Sequence, residues 1–190
     1  MFLEFALAFL IGSIPTGFWY AKFFHNLDIR QHGSGNIGAT NSYRVIGKKA
    51  AIIVLFIDLL KGLIPVLLTK YLDFSSENVL LAGVFAVLGH LFSPFLNFRG
   101  GKGIATAFGV ILGFSPLAAL CAVLVFGAVL YFSKMVSLGS IFGVLTFWIY
   151  ILITKVMGPL WWISTVLAIL LIVSHRKNIS RIIQGKESKI

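Results

Sequence analysis

Acidic residues are scarce in this 190-residue chain: Asp and Glu total 6 against 16 Lys and Arg, for a formal net charge of +10. Cysteine is scarcer still. Cys121 stands alone inside an apolar run, so no disulfide framework exists. Charged residues of both signs make up only 12% of the chain, about half of what a soluble domain carries. There is no internal repeat of the kind that marks solenoids, and no Pro- or Ser-rich linker divides the chain. The Met1-Phe-Leu-Glu4 start lacks a basic n-region, so it is expected to open a first span rather than a cleaved signal peptide.

What fills the chain is apolar. Hydrophobic residues are 58% of it, and the mean hydropathy is +0.97. So apolar a chain cannot hide its surface by folding in water, and lipid must be the solvent for much of it. Runs broken at Pro, Gly and charged clusters predict helices over 2–23, 46–70, 78–93, 103–114, 116–133, 136–155 and 158–174. The run at 103–114 is too short to cross a bilayer upright and reads as a short buried helix or half of a re-entrant hairpin. The expected fold is all-α: a polytopic bundle of seven transmembrane helices, one of them short, forming a single domain over 1–190. With the N-terminus outside, thirteen basic residues collect on the inner side, and only Lys70 and Lys155 on the outer. That bias obeys the positive-inside rule and places the C-terminus in the cytoplasm. It also explains the basicity without nucleic acid.

Three segments on the basic side are richer in Gly and amides than a topological anchor needs. In Gly33-Ser-Gly-Asn-Ile-Gly-Ala-Thr-Asn-Ser-Tyr-Arg44, glycines can bring backbone N–H groups onto an anion. Ser34, Gly35, Asn36, Gly38, Thr40 and Asn41 can then cradle it, while Arg44 offers a planar fork suited to phosphate. Gly33, Gly35 and Gly38 also match the spacing of a dinucleotide fingerprint, but no apolar strand precedes them and Asp58 lies inside an apolar helix. The second segment sets Gly100, Gly101, Lys102 and Gly103 before a short helix carrying Thr106, where free N–H groups and a full charge favour an anion. In the third, His175 and Asn178 are three apart and would share a face if the last helix runs on past Ser174. A flexible turn and a positive-inside anchor account for any one segment alone. The three meeting on one side is what suggests a site for phosphate-bearing substrates.

Asp58 and Lys61 stand three apart within the second long run and read as an ion pair at depth that orients the basic site. Gly12-Ser-Ile-Pro-Thr-Gly17 marks a kink or close helix packing, and Ser137 begins the sixth run on the basic side. No His, Cys or acidic group has metal-ligand spacing, and no Gly-x-Ser-x-Gly elbow occurs. The His-x4-Asp signature of peripheral glycerolipid acyltransferases is absent too: the residues five after the four histidines are Arg30, Ile37, Phe95 and Ser180.

The three segments in this order and spacing, with Gly12-Ser-Ile-Pro15, Asp58-x-x-Lys61-Gly62 and Val136-Ser-Leu138, resemble the bacterial acyl-phosphate:glycerol-3-phosphate acyltransferases, the PlsY family. The resemblance covers nearly the whole chain; Ile104 replaces a more usual valine. It implies a cofactor-free enzyme of the bacterial inner membrane, its site on the cytoplasmic side. Such an enzyme moves an acyl chain from acyl phosphate to the 1-hydroxyl of glycerol 3-phosphate without a covalent intermediate. The products are lysophosphatidic acid and phosphate, in the first step of phospholipid synthesis. His175, Lys102, Ser34 and Asn178 would then be catalytic. Gly35, Asn36, Gly38, Thr40, Asn41, Arg44, Gly100, Gly101, Gly103, Thr106 and Ser137 would bind substrate. The partners would be the two substrates and membrane lipid, with the protein a monomer and an upstream enzyme supplying acyl phosphate. An anion carrier and a structural subunit are the alternatives. A carrier calls for a line of deep cations, whereas Lys61 alone lies deep, matched by Asp58; a structural subunit leaves the Gly and Asn density unexplained.

Overall fold

A computed structural model describes residues 2–155 and 157–190. Among the described residues ten α-helices follow one another: α1 Phe2–Gly12, α2 Thr16–His25, α3 Ala39–Val45, α4 Lys48–Tyr71, α5 Ser76–Leu91, α6 Ile104–Phe114, α7 Pro116–Ser133, α8 Val136–Thr154, α9 Pro159–Ser174 and α10 Arg176–Ile183. Four stretches of the described residues are long and apolar enough to cross a bilayer: Lys48–Tyr71, Ser76–Leu96, Pro116–Ser133 and Val136–Thr154. The bent pairs α1–α2 and α9–α10 raise the number to six if each is one span. Seven is reached only by adding α6, which has 11 residues and is about 16 Å long.

Two helix breaks shape the bundle. The run predicted over 2–23 is broken: at Ser13-Ile14-Pro15 the chain bends by 40°, because Pro15 supplies no N–H to the preceding turn. The last membrane helix ends at Ser174, as the run over 158–174 predicts, so the continuation that would put His175 and Asn178 on one face of it does not occur. The chain turns by 58° at His175 into the strongly amphipathic α10.

The short α6 survives because α4 shields it. A Cβ on Gly62 would fall 2.0 Å from the Thr106 carbonyl oxygen, and one on Gly109 equally close to that of Leu59. Small residues thus let the two backbones touch, the usual device for packing helices in lipid. The core then runs through Val66, Leu80, Val87, Val110, Phe147 and Leu171. The faces of α4, α7 and α9 turned away from it expose Leu55, Leu124 and Ile169, as lipid solvation allows. Short turns make successive long helices antiparallel. The ends of α2, α5, α7 and α9 and the starts of α4, α6 and α8 therefore lie at one end of the bundle, together with all three Gly- and amide-rich segments.

Candidate functional site

The first segment is not a loose loop. Its C-terminal half is the helix α3, and Asn41 at the start of that helix is buried to 1% exposure. The Asn41 Oδ1 accepts from the Ser34 N–H at 2.8 Å, while Nδ2 donates to the carbonyls of Ile29, His32 and Asn36 at 3.2, 3.0 and 2.8 Å. Asn41, expected as a phosphate ligand, therefore spends its amide on shaping the turn. The Asn36 Oδ1 accepts from the Gly38 N–H at 2.8 Å, and among the described residues nothing accepts from the Asn36 amide hydrogens. Gly33 and Gly35 have φ of +59° and +71°, and a Cβ on Gly33 would strike the Asn41 Oδ1. The result presents Ser34, Gly35 and Arg44 as exposed groups, with Thr40 partly covered.

The second segment is pinned from below. The Gly100 and Gly101 N–H groups donate to the Leu91 and His90 carbonyls, each at 3.0 Å. Gly101 lies so close over the His90 ring that a Cβ there would sit 2.2 Å from Nε2. The Ser93 Oγ donates to the Ser13 carbonyl at 2.5 Å, and the Lys61 Nζ to the Ile14 carbonyl at 2.7 Å, so both hold the break between α1 and α2. Lys61 also pairs with Asp58 at 2.8 Å, both side chains 3% exposed. That pair was expected to orient the basic site, and it does reach the glycine segment, through the α1–α2 break and Ser93. Thr106 is fully buried in the first turn of α6, where its backbone meets Gly62.

The third segment docks on the second: the Ser174 Oγ donates to the Lys102 carbonyl at 3.0 Å. His175 is 2% exposed. Its Nδ1 lies 2.9 Å from the Leu171 carbonyl, which can only accept, so Nδ1 carries the proton and Nε2 keeps its lone pair. Burial pushes the His175 pKa down to about 4, with the Leu171 bond opposing and the Lys102 charge adding to the fall. Near neutrality the ring is uncharged.

The sequence reading missed Glu187. Its Oε1 accepts from the Ser137 Oγ at 2.7 Å and the Asn178 Nδ2 at 2.6 Å, and its Oε2 from the Arg181 Nε at 2.7 Å. Partial burial works against the carboxylate, but these three donors outweigh it and hold its pKa below the ordinary value. One acidic side chain thereby ties the tail, α10 and α8 together, and leaves the Asn178 Oδ1 buried without a partner. Glu187→Ala is expected to destabilise the protein by about 2–3 kcal/mol, since charge-assisted bonds of this kind are each worth roughly 1.5–3. Thermal unfolding in detergent checks it; an unchanged midpoint would mean that the clamp is idle.

Lys102 is where the segments converge electrostatically. Burial lowers its pKa to about 8, Glu187 pulls it back up, and Arg181 and Arg44 push it down. The structure thus gathers Lys102, Arg44, His175, Asn178 and Ser137 at one end of the bundle, and adds Arg181 and Glu187. Ser34, Gly35, Asn36, Gly38 and Thr40 lie on the folded turn leading into Arg44, and Gly100, Gly101 and Gly103 form the backbone around Lys102. Such a cation-rich surface with a neutral imidazole suits the binding of phosphate esters.

Comparison with known proteins agrees. The family model described as glycerol-3-phosphate acyltransferase matches residues 2–185. A Listeria monocytogenes glycerol-3-phosphate acyltransferase is 47% identical, the match covering 97% of this chain and 93% of that protein. A Fusobacterium nucleatum protein of the same name is 41% identical, over 96% and 94%. Two crystal structures of PlsY, an integral membrane glycerol 3-phosphate acyltransferase, superpose on 100% of this chain and 94% of theirs. The glycerol 3-phosphate form has a TM-score of 0.94 at 37% identity, and the lysophosphatidic acid form 0.91 at 36%. With its fold, its basic site and its sequence in agreement, the chain belongs to the glycerol-3-phosphate acyltransferase family.

Proposed function

We propose that this protein transfers an acyl chain from acyl phosphate to the 1-hydroxyl of glycerol 3-phosphate, yielding lysophosphatidic acid and inorganic phosphate. The observation that carries the reading is the convergence of Arg44, Arg181 and a neutral His175 on Lys102. Two phosphate-bearing substrates bring up to about four negative charges between them, each phosphate carrying about 1.5 to 2 near neutrality. Acyl phosphate is a mixed anhydride and already activated, so positioning, an oxyanion donor and charge for the departing phosphate suffice. No side chain of the cluster stands out as a covalent nucleophile. The hydroxyl of glycerol 3-phosphate attacks the acyl carbonyl directly, the carbonyl carbon–phosphate oxygen bond breaks, and phosphate leaves.

Lys102 and the glycine backbone around it hold the phosphate that departs. Arg44, Ser34 and the folded turn hold the other, and Asn178 and Ser137 sit at the edge shaped by Glu187. With a pKa near 4, His175 is a weak base. A phosphate oxygen, whose second pKa is about 6, takes the proton of the attacking hydroxyl, and the His175 Nε2 accepts from the neighbouring 2-hydroxyl and so orients glycerol 3-phosphate. The site opens on the cytoplasmic face of the inner membrane, with the N-terminus outside and α6 as a seventh, short membrane helix. The protein acts as a monomer supplied by an acyl-phosphate-forming enzyme. Phosphate release by purified protein tests the whole reading: it should require acyl phosphate and glycerol 3-phosphate together, and folded protein that releases none defeats it.

The lowered Lys102 pKa gives a pH signature. In the free enzyme kcat/KM should fall as pH rises through about 8, because the ammonium is lost there. Stability should move the other way. The folded state holds fewer protons than the unfolded state from about 8 up to the ordinary lysine value of 10.5, so this group makes stability rise with pH across that window. A basic limb in rate without a matching loss of unfolding midpoint is the expected pair of results; a rate that is flat to pH 9.5 contradicts it.

A further inference from the structure

The end of the bundle opposite Lys102 is nearly stripped of cations. Its basic side chains are Lys70 and Lys155, 85 positions apart in sequence, and both line one cavity of about 220 Å³. Two lysines that merely anchored their helices in the interface would have no reason to share it. We propose that this cavity binds the phosphate of an anionic lipid headgroup.

The cavity lies where α4 and α8 end and α5 and α7 begin. Hydroxyls of Ser76, Ser115 and Tyr150 line it beside the two ammonium groups, and Phe74 and Phe114 give it an apolar wall. Ser115 donates to the Tyr150 hydroxyl at 3.4 Å, which leaves the Tyr150 O–H hydrogen for another acceptor. Among the described residues neither lysine ammonium has an ion-pair partner. Asp73 and Glu77 occupy the same turn but do not line the cavity. Two free cations and a hydroxyl donor beside an apolar wall match a phosphate joined to an apolar body. Leu117, two positions after Ser115, and Ile153, two before Lys155, are exposed and give this end of the bundle further apolar surface. A soluble phosphate would use the cations but not the wall.

Native mass spectrometry of the full chain, titrated with phosphatidylglycerol, tests this against the Lys70→Gln/Lys155→Gln variant. Because the basic end also attracts anionic lipid, the exposed pair Lys186→Gln/Lys189→Gln serves as the control. The expected result is one tight lipid fewer, or affinity at least tenfold weaker, in the first variant alone, with Lys70→Arg/Lys155→Arg restoring it. Acyl transfer by the Gln variant in neutral detergent should be unchanged. Equal lipid binding by wild type and the Gln variant overturns the proposal. Inorganic phosphate that displaces the lipid at millimolar concentration would make the site one for free anions and overturn the lipid assignment.

Discussion

Lys102→Ala should lower kcat/KM by about 10³-fold, which is roughly 4 kcal/mol of transition-state stabilisation. The size follows from where the charge sits. The side chain is partly buried and shares its surroundings with Arg44, Arg181 and Glu187, while the Ser174 Oγ fixes the lysine's backbone by donating to its carbonyl. A preorganised cation in a partly dry site acts on developing charge far more strongly than one in water. How the loss divides tests the mechanism. If Lys102 meets the phosphate that departs with acyl transfer, kcat collapses and KM for glycerol 3-phosphate changes little. A rise in KM with kcat preserved would place the lysine on the acceptor's phosphate and reverse the assignment of the two pockets. Lys102→Arg should recover only part of the rate: a planar fork cannot occupy the point-charge position that the glycine backbone builds. His175→Ala should lose less than Lys102→Ala, because the ring supplies an acceptor and not a charge. A histidine variant as inactive as the lysine variant would return the role of base to His175.

Which parts of this were legible in the sequence depends on how local their causes are. The α7 bounds, Pro116 to Ser133, coincide with the predicted 116–133 because Ser115 and Pro116 form a helix start that needs nothing from elsewhere. The apolar runs of α4, α5 and α8 were found to within two residues for the same reason. The helix α3 was hidden. Seven residues of Ala, Thr, Asn, Ser, Tyr, Arg and Val show no apolar period, and the helix stands because Asn41 gathers three carbonyls from the turn before it. The turn at His175 was equally invisible, since the α10 face is defined by contacts that the tail provides. Glu187 was missed because its partners, Ser137, Asn178 and Arg181, come from two helices up to 50 positions away. The one available signal was chemical: a lone acid in a basic tail, in a chain with so few acids, calls for a partner. The density of Gly and amides pointed to the end of the bundle where Lys102, Arg44 and His175 meet, yet it did not separate exposed groups from those, such as Asn41 and Thr106, that are buried in the platform.

Lys61→Met should be the most destabilising single change in the interior, costing about 3–5 kcal/mol. Removing the ammonium leaves the Asp58 carboxylate buried and unpaired, and it also strips the Ile14 carbonyl of its donor at the α1–α2 break. For a chain of this size each kcal/mol moves the unfolding midpoint by roughly 2–4 °C, so a fall of about 10 °C is expected in detergent. Lys61→Met with Asp58→Leu should recover most of that loss, because an apolar pair of similar volume has no desolvation penalty to repay. The double variant then separates two jobs that one ion pair performs. If Asp58 and Lys61 serve stability alone, the recovered protein should also recover its turnover. If they hold the glycine segment through Ser13, Ile14 and Ser93, the double variant folds but keeps a lowered kcat, because Gly101 is no longer held over His90 and Lys102 beside it shifts out of register. The second outcome is expected: the Lys61 Nζ donates to the chain break itself, and no apolar side chain can replace that bond. Single losses that simply add in the double variant would show that the two residues act independently and would sink the whole argument for a coupled pair.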